Sequence, residues 1–159
     1  MYLTMKYESP VGVLTLAGEG ENLVGLWLEG QKYFGAGLEL SAEGDLPAFD
    51  RARDWLDRYF AGKRPAPSEL GLTPVGTAFQ RAVWAQLCKI PYGETVTYGE
   101  LAKQLQTSAR AVGSAVGRNP ISIIVPCHRI LGADGSLTGY AGGVERKQWL
   151  LEHEGVKIK

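Results

Sequence analysis

The first third of the chain carries short apolar runs separated by turn residues, a β pattern. Tyr2 to Tyr7 is a candidate strand, and Ser9-Pro10-Val11-Gly12 reads as a turn. Val13-Leu14-Thr15-Leu16 and Leu23-Val24-Gly25-Leu26-Trp27-Leu28 flank Gly18-Glu19-Gly20-Glu21-Asn22. That arrangement predicts a hairpin, because Gly and Asn accept positive φ. Residues 30–45 are Gly-rich and weakly patterned and read as a loop. From Leu46 to Ala61 the residues Phe49, Ala52, Leu56, Tyr59 and Phe60 recur at helical spacing, with Trp55 beside them. Gly62 ends that helix, and Pro65 and Pro67 forbid its resumption. This part, a sheet with one helix packed on it, holds no nucleophile and no clustered titratable pair, so it reads as a scaffold.

Residues 62–74 form the candidate boundary, and short helices follow. The first spans Thr77 to Cys88, with Phe79, Val83, Leu87 and Ile90 on one face, and stops at Pro91. Cys88 lies in this pattern as a small apolar residue. Thr97-Tyr98-Gly99-Glu100 has the spacing of a capping box and predicts a helix to about Leu105. Gln106-Thr107 makes a tight turn, and Ser108 caps a second helix to about Arg118. Two short helices so joined suggest a helix-turn-helix. The second is built from small residues, Ala109, Ala111, Gly113, Ser114, Ala115 and Gly117, with Arg110 in its first turn. Small side chains permit close backbone approach, either to another helix or to a phosphate chain. Asn119-Pro120 then breaks the chain, and Ile121 to Val125 reads as a buried strand delivering Pro126-Cys127-His128-Arg129. Gly132-Ala133-Asp134-Gly135 is a turn, and Gly139-Tyr140-Ala141-Gly142-Gly143 is a Gly-rich loop. A last helix runs from about Val144 to Glu154, with Gly155 as its C-cap.

Composition narrows the class. The 159 residues are 45% hydrophobic and 21% charged, which excludes disorder as the dominant state. The longest strictly aliphatic stretch, Ile123-Ile124-Val125, is far short of the ~20 residues that span a bilayer. Met1 to Thr15 lacks a signal-peptide apolar core. Cys88 and Cys127 are the only cysteines, so a disulfide scaffold is not expected and a reducing cytoplasm is the natural compartment. With two His and neither CxxC nor HExxH, no metal and no cofactor is expected. The zero net charge hides a gradient: residues 1–72 hold seven Lys/Arg against eleven Asp/Glu, and residues 73–159 hold ten against six. Such asymmetry fits a half that meets a polyanion, and equally fits plain segregation of surface charge.

The candidate chemistry is Cys127 beside His128 and Arg129, an electropositive setting that should favour the thiolate. Adjacent side chains on a strand point to opposite faces, so a local turn or a bridging water is needed for His128 to take the thiol proton. Glu154 in the last helical turn opposes the helix dipole and needs a compensating partner, for which His128 is available.

Asn119-Pro120-Ile121-Ser122-Ile123-Ile124-Val125-Pro126-Cys127-His128-Arg129-Ile130 resembles the active-site signature of the O6-alkylguanine-DNA alkyltransferases, the methylated-DNA–protein-cysteine methyltransferases. The similarity includes Ile90 to Thr95, Tyr98 to Ala102, Ala109 to Gly113, Leu137 to Gly143, Arg146-Lys147 and Trp149 to Glu154, so it covers almost all of residues 77–155. It implies an α/β (α+β) fold, with a small ribonuclease-H-like scaffold domain over 1–72 and a winged helix-turn-helix domain carrying the alkyl acceptor over 73–159. It also implies a monomer acting on alkylated double-stranded DNA by base flipping and irreversible transfer of the alkyl group to Cys127. On this resemblance His128 is the general base through water, Glu154 orients the imidazole, and Asn119 locks the chain that presents the thiol. Tyr98 assists departure of guanine, and Arg110 fills the vacated stack. Ala109, Ala111, Gly113, Ser114 and Arg118 line the DNA face, while Pro126, Ile130, Tyr140, Ala141, Gly142 and Gly143 wall the base pocket. Many relatives carry a hydroxyl residue at Ala141, and the turn between the motif helices is shorter here than in some. The alternative is a non-catalytic lesion-binding or regulatory winged-helix protein, against which Cys127 argues. A cysteine hydrolase using Cys127, His128 and Glu154 would differ by multiple turnover.

Overall fold

Three N-terminal strands, β1 (Tyr2–Ser9), β2 (Gly12–Glu19) and β3 (Asn22–Leu28), form an antiparallel meander in the computed structural model, which describes residues 2–158. Gly12 at φ 107° and Gly20 at φ 60° make the two reversals. Leu14, Leu16, Leu26 and Leu28 pair across β2 and β3 and are wholly buried. On this sheet lies α1 (Pro47–Phe60), which buries Phe49, Ala52, Trp55, Leu56 and Tyr59. Pro47 suits the first helical turn, where its missing N–H has no partner to lose.

Residues 30–45, expected as loop, also contain a strand. This strand, β4 (Leu40–Glu43), pairs parallel to β1 at the sheet edge. Leu40 and Ser41 are half-buried and Ala42 and Glu43 exposed, so no two-residue alternation marks it. On the opposite edge β5 (Gly71–Leu72) runs parallel to β3, completing the order β4-β1-β2-β3-β5.

The first unit takes in residues to Val75 and also Pro120–Ile124, so it extends beyond the boundary expected after residue 72 and is discontinuous in sequence. Thr73 N–H donates to Leu23 O at 2.9 Å, carrying the pairing past that boundary. Farther along the same edge of β3, Leu26 N–H donates to Pro120 O at 2.8 Å and Ser122 N–H to Leu26 O at 2.9 Å. The expected strand Ile121–Val125 does not form. Ile121 makes a single bridge to Leu26, and Ile123 at φ 71° reverses the chain. The run is apolar because all five residues are buried, not because it is extended.

The second unit comprises Gly76–Asn119 and the residues from Val125 onward. Its helices are α2 (Ala78–Leu87), α3 (Tyr98–Gln104), α4 (Ala109–Gly117) and α5 (Val144–His153). Thr77 and Gln80 cap α2 reciprocally at 3.0 Å each, and Thr97 and Glu100 do the same for α3 at 3.1 Å. Ser108 Oγ accepts Ala111 N–H at 3.1 Å to start α4. The buried face of α2 is Val83, Trp84 and Leu87, whereas Phe79, expected on that face, is 39% exposed. Trp84 sets the rotation of the helix, because its indole N–H donates to Ala115 O at 2.8 Å. A two-residue parallel ladder joins β6 (Val96–Thr97) to β7 (Ile130–Leu131). No helix among the described residues is long and apolar enough to cross a membrane.

Candidate active site

Every residue singled out for chemistry lies in the second unit. The β6–β7 ladder ends one strand where Tyr98 begins α3 and starts the other where the Cys127 segment ends, so it fixes both side chains to one frame. Cys127–Arg129 is a single 3-10 turn, all three residues buried. That turn replaces the strand geometry that would have sent neighbouring side chains to opposite faces.

His128 Nε2 lies 2.7 Å from Glu154 Oε2, both side chains wholly inaccessible. A carboxylate at that distance assigns the proton to Nε2 and leaves Nδ1 as the acceptor. Nδ1 is buried without a hydrogen-bond partner among the described residues. Arg129 also converges on Glu154, through Nε to Oε1 at 2.8 Å and Nη2 to Oε2 at 3.1 Å, and its Nη1 donates to Ile90 O at 2.7 Å. Gly93 N–H donates to Glu154 Oε1 at 3.2 Å. Burial alone would raise the Glu154 carboxyl, but the hydrogen bonds and charges of His128 and Arg129 outweigh it and hold the group well below the usual carboxylate range. Burial keeps His128 below the ordinary imidazole value despite Glu154, so the ring is a neutral base at neutral pH.

The thiol departs from expectation. Burial pushes Cys127 up to about 11, against a hydrogen bond from Asn119 and the charge of Lys147. Arg129 does not relieve this, because its guanidinium is committed to Glu154. Burial therefore favours the protonated thiol over the thiolate. Asn119 donates its amide to Val125 O at 2.9 Å as well, closing the two ends of the 120–124 excursion beside the thiol.

Tyr98 donates its hydroxyl to Thr138 O at 3.3 Å, and burial raises its pKa. Lys147, wholly buried, donates Nζ to the same carbonyl at 2.9 Å. Tyr140, Gly142, Pro126 and Ile130 are buried, and Ala141 and Gly143 are half-buried. Gly143, at φ 95°, occupies the left-handed region immediately before α5. On α4, Val112, Ala115 and Val116 face inward, whereas Ala109, Arg110 and Ser114, together with Arg118 at the helix end, are exposed. Ala111 and Gly113 are half-buried, and a Cβ at Gly113 would stand 3.8 Å from the Tyr98 ring. The small residues of α4 thus serve both readings: helix packing on one side and a low, accessible face on the other.

Sequence reasoning missed the Arg129 clamp on Glu154 and the burial of Lys147. The latter left a trace, since Lys147 stands three and four residues before Leu150 and Leu151 on the buried side of α5. Among the described residues no group of His, Cys, Asp and Glu side chains is placed to hold a metal ion.

A buried cysteine in the same turn as an imidazole hydrogen-bonded to a carboxylate, in a unit that also carries the consecutive short helices α3 and α4, defines a class of proteins with a cysteine site on a helical DNA-binding domain. Comparison with known proteins agrees. The family model for the 6-O-methylguanine DNA methyltransferase, DNA binding domain, matches residues 78–156, and that for its ribonuclease-like domain matches residues 2–74. The chain is 47% identical over 150 residues to the methylated-DNA–protein-cysteine methyltransferase of Haemophilus influenzae, covering 93% of this chain and 83% of that one. It is 45% identical over 152 residues to that of Methanosarcina acetivorans, covering 94% and 96%. The crystal structure of Mycobacterium tuberculosis OGT in complex with DNA has a TM-score of 0.84 at 48% identity, covering 96% of this chain and 91% of that chain. The chain belongs to the 6-O-methylguanine DNA methyltransferase family, the methylated-DNA–protein-cysteine methyltransferases.

Proposed function

We propose that this protein repairs DNA by moving the alkyl group of O6-alkylguanine onto its own Cys127, once and irreversibly. The observation that carries this reading is a buried Cys127 next to a His128–Glu154 pair closed at 2.7 Å. The thiol proton passes through a water to His128 Nδ1, and Glu154 stabilises the imidazolium that forms. The sulfur attacks the alkyl carbon as the bond from that carbon to O6 breaks. Tyr98 gives a proton to guanine N3, and the imidazolium proton restores the phenol, so neutral guanine leaves and Cys127 becomes a thioether. To do so Tyr98 exchanges its hydrogen bond to Thr138 O for one to the base.

The target base is extruded from the duplex into a pocket walled by Pro126, Ile130, Tyr140, Ala141, Gly142 and Gly143. Exposed Arg110 enters the gap it leaves. Ala109, Ala111, Gly113 and Ser114 let α4 approach the minor groove, with Arg118 at its end, and Asn119 holds the Cys127 turn. The protein works as a monomer on alkylated double-stranded DNA. Two free thiols suit a reducing cytoplasm.

Intact mass spectrometry after incubation with an O6-methylguanine oligonucleotide tests the reading. One methyl group per protein, retained on Cys127, is expected. Release of product without a stable adduct indicates a hydrolase, and binding without any adduct indicates a lesion sensor.

A further inference from the structure

Arg129 commits every nitrogen of its buried guanidinium inside the protein, and the proposed chemistry assigns this cation no step. Nε and Nη2 donate to the two oxygens of Glu154 at 2.8 and 3.1 Å, and Nη1 donates to Ile90 O at 2.7 Å. Its Cζ lies 5.8 Å from the centre of the Tyr92 ring. Glu154 Oε2 is shared: His128 Nε2 lies 2.7 Å from the same oxygen to which Arg129 Nη2 donates.

A guanidinium stays charged at any working pH, so it balances the carboxylate by itself. Arg129, Glu154 and a neutral His128 sum to zero, and no proton has to enter the buried cluster to cancel its charge. Taking Arg129 away leaves an uncompensated carboxylate, which burial penalises until a proton is taken up. That proton has two places to go. On the ring it makes the imidazolium, with hydrogen on both nitrogens. On the carboxyl it turns Oε2 into a donor, so Nε2 must accept and the single ring hydrogen moves to Nδ1. Both placements cover Nδ1.

Other groups bear on the ring from the neighbouring elements. Lys147, in the first turn of α5, acts through its positive charge while donating to Thr138 O at 2.9 Å. The Cys127 thiol of the same turn, the Cys88 thiol at the end of α2 and the Tyr98 phenol at the start of α3 are all pushed toward their neutral forms by burial. Burial, and after it the charges of Arg129 and Lys147, lower the imidazole against the pull of Glu154.

We infer that Arg129 is a positioning residue: by holding and neutralising the Glu154 carboxylate, it keeps His128 in the tautomer whose Nδ1 lone pair is open to take a proton. What that lone pair is for rests on the alkyl-acceptor reading of Cys127. The test reads ring protonation without DNA, so the two fail separately.

The chain has two histidines, so 15N-imidazole NMR resolves His128 with His153 as internal control. In the wild type at pH 7, His128 Nδ1 is expected as an unprotonated ring nitrogen and Nε2 as a protonated one. A protonated Nδ1 there overturns the inference with no variant needed. In Arg129→Met the unprotonated Nδ1 signal is lost at pH 7, while His153 is unchanged. Calorimetry gives a second readout. The variant's folded cluster keeps a proton that the unfolded chain releases, so its stability is complete at low pH and is lost as pH rises. Its Tm gap to the wild type therefore widens from pH 5 to 7 by about 3–5 °C per pH unit, whereas a merely structural loss gives a constant gap. Arg129→Met/Glu154→Gln removes both charges together, and its gap stays flat over the same range. A folded Arg129→Met protein with the wild-type Nδ1 signal, a constant gap, or a gap that widens equally in the double variant overturns the inference.

Discussion

Replacing Glu154 with Gln removes one charge from the most connected buried group of the second unit and changes little else in shape. In the wild type that carboxylate accepts from His128, from two nitrogens of Arg129 and from Gly93, at 2.7 to 3.2 Å. The amide keeps one acceptor oxygen and presents an NH2 group to donors. Arg129, itself 5% exposed, is then left without its anion. Breaking a buried ion pair in this way costs about 3–5 kcal/mol, against a total stability of about 5–15 kcal/mol for a domain. At about 2–4 °C per kcal/mol for a chain of this size, Tm should fall by roughly 6–20 °C at pH 7. The pH dependence has a definite sign. The folded carboxyl titrates well below its ordinary value of 4.5, so its contribution is complete above that value and is lost as pH falls toward the folded one. His128 is present in both proteins, so the difference between their melting curves isolates Glu154 to first order. The Tm gap should be widest near pH 6–7 and shrink steadily below pH 4.5. Differential scanning calorimetry of both proteins from pH 3 to 7 measures it. A gap of less than about 2 °C at pH 7, or one that stays constant down to pH 3, refutes the account of Glu154 as a charge clamped by Arg129 and His128.

Three further outcomes follow from the site. Peptide mapping after reaction should place the alkyl group on Cys127 alone, and Cys127→Ala should abolish transfer while retaining lesion binding; methylated Cys88 would contradict the assignment. Arg110→Ala should slow repair of duplex DNA far more than reaction with free O6-benzylguanine, because unstacking costs a few kcal/mol that the free base never meets. Tyr98→Phe should impair both, and equal losses on both substrates for Arg110→Ala would remove the stack-filling role. The short, small-residue face of α4 offers few cations, so at about −0.9 per neutralised phosphate the log K versus log salt slope for duplex DNA should be only roughly −2 to −4. A slope near −8 in fluorescence-anisotropy titrations, or strong preference for one undamaged sequence, would favour a transcription regulator.

Local chemistry was the most legible part of the sequence. The caps at Thr97 and Ser108 each complete their hydrogen bonds within three residues, so the motif carries its own geometry. The pairing of Glu154 with His128 was reached through dipole reasoning, and the two groups stand 2.7 Å apart. The rest depended on distant partners. Nothing near Arg129 in sequence says that its guanidinium turns to a residue twenty-five positions away rather than to the thiol two positions before it. Ile121–Val125 has the composition of a strand, yet the positive φ of Ile123 reflects packing that no local preference of isoleucine would select. Leu40–Glu43 was hidden for the opposite reason: an edge strand with little burial needs no pattern. Lys147 directly follows Arg146, and the rotation of α5 buries the one cation while leaving the other partly exposed.

The excursion between Asn119 and Val125 constrains how a gene for such a protein can be cut. A fragment beginning at Gly76 retains every side chain of the reactive centre, but it carries Pro120–Ile124 without the β3 edge that these residues pair with. Ile121, Ile123 and Ile124 are at most 1% exposed in the intact chain. Stripped of their environment they forfeit roughly 5–9 kcal/mol of burial, comparable to the stability of a whole domain. Such a fragment should aggregate through a three-isoleucine knuckle placed three residues before Cys127. Supplying residues 1–75 as a separate chain should return it to solution, with the N-terminal half acting as a built-in chaperone for the loop that delivers the thiol.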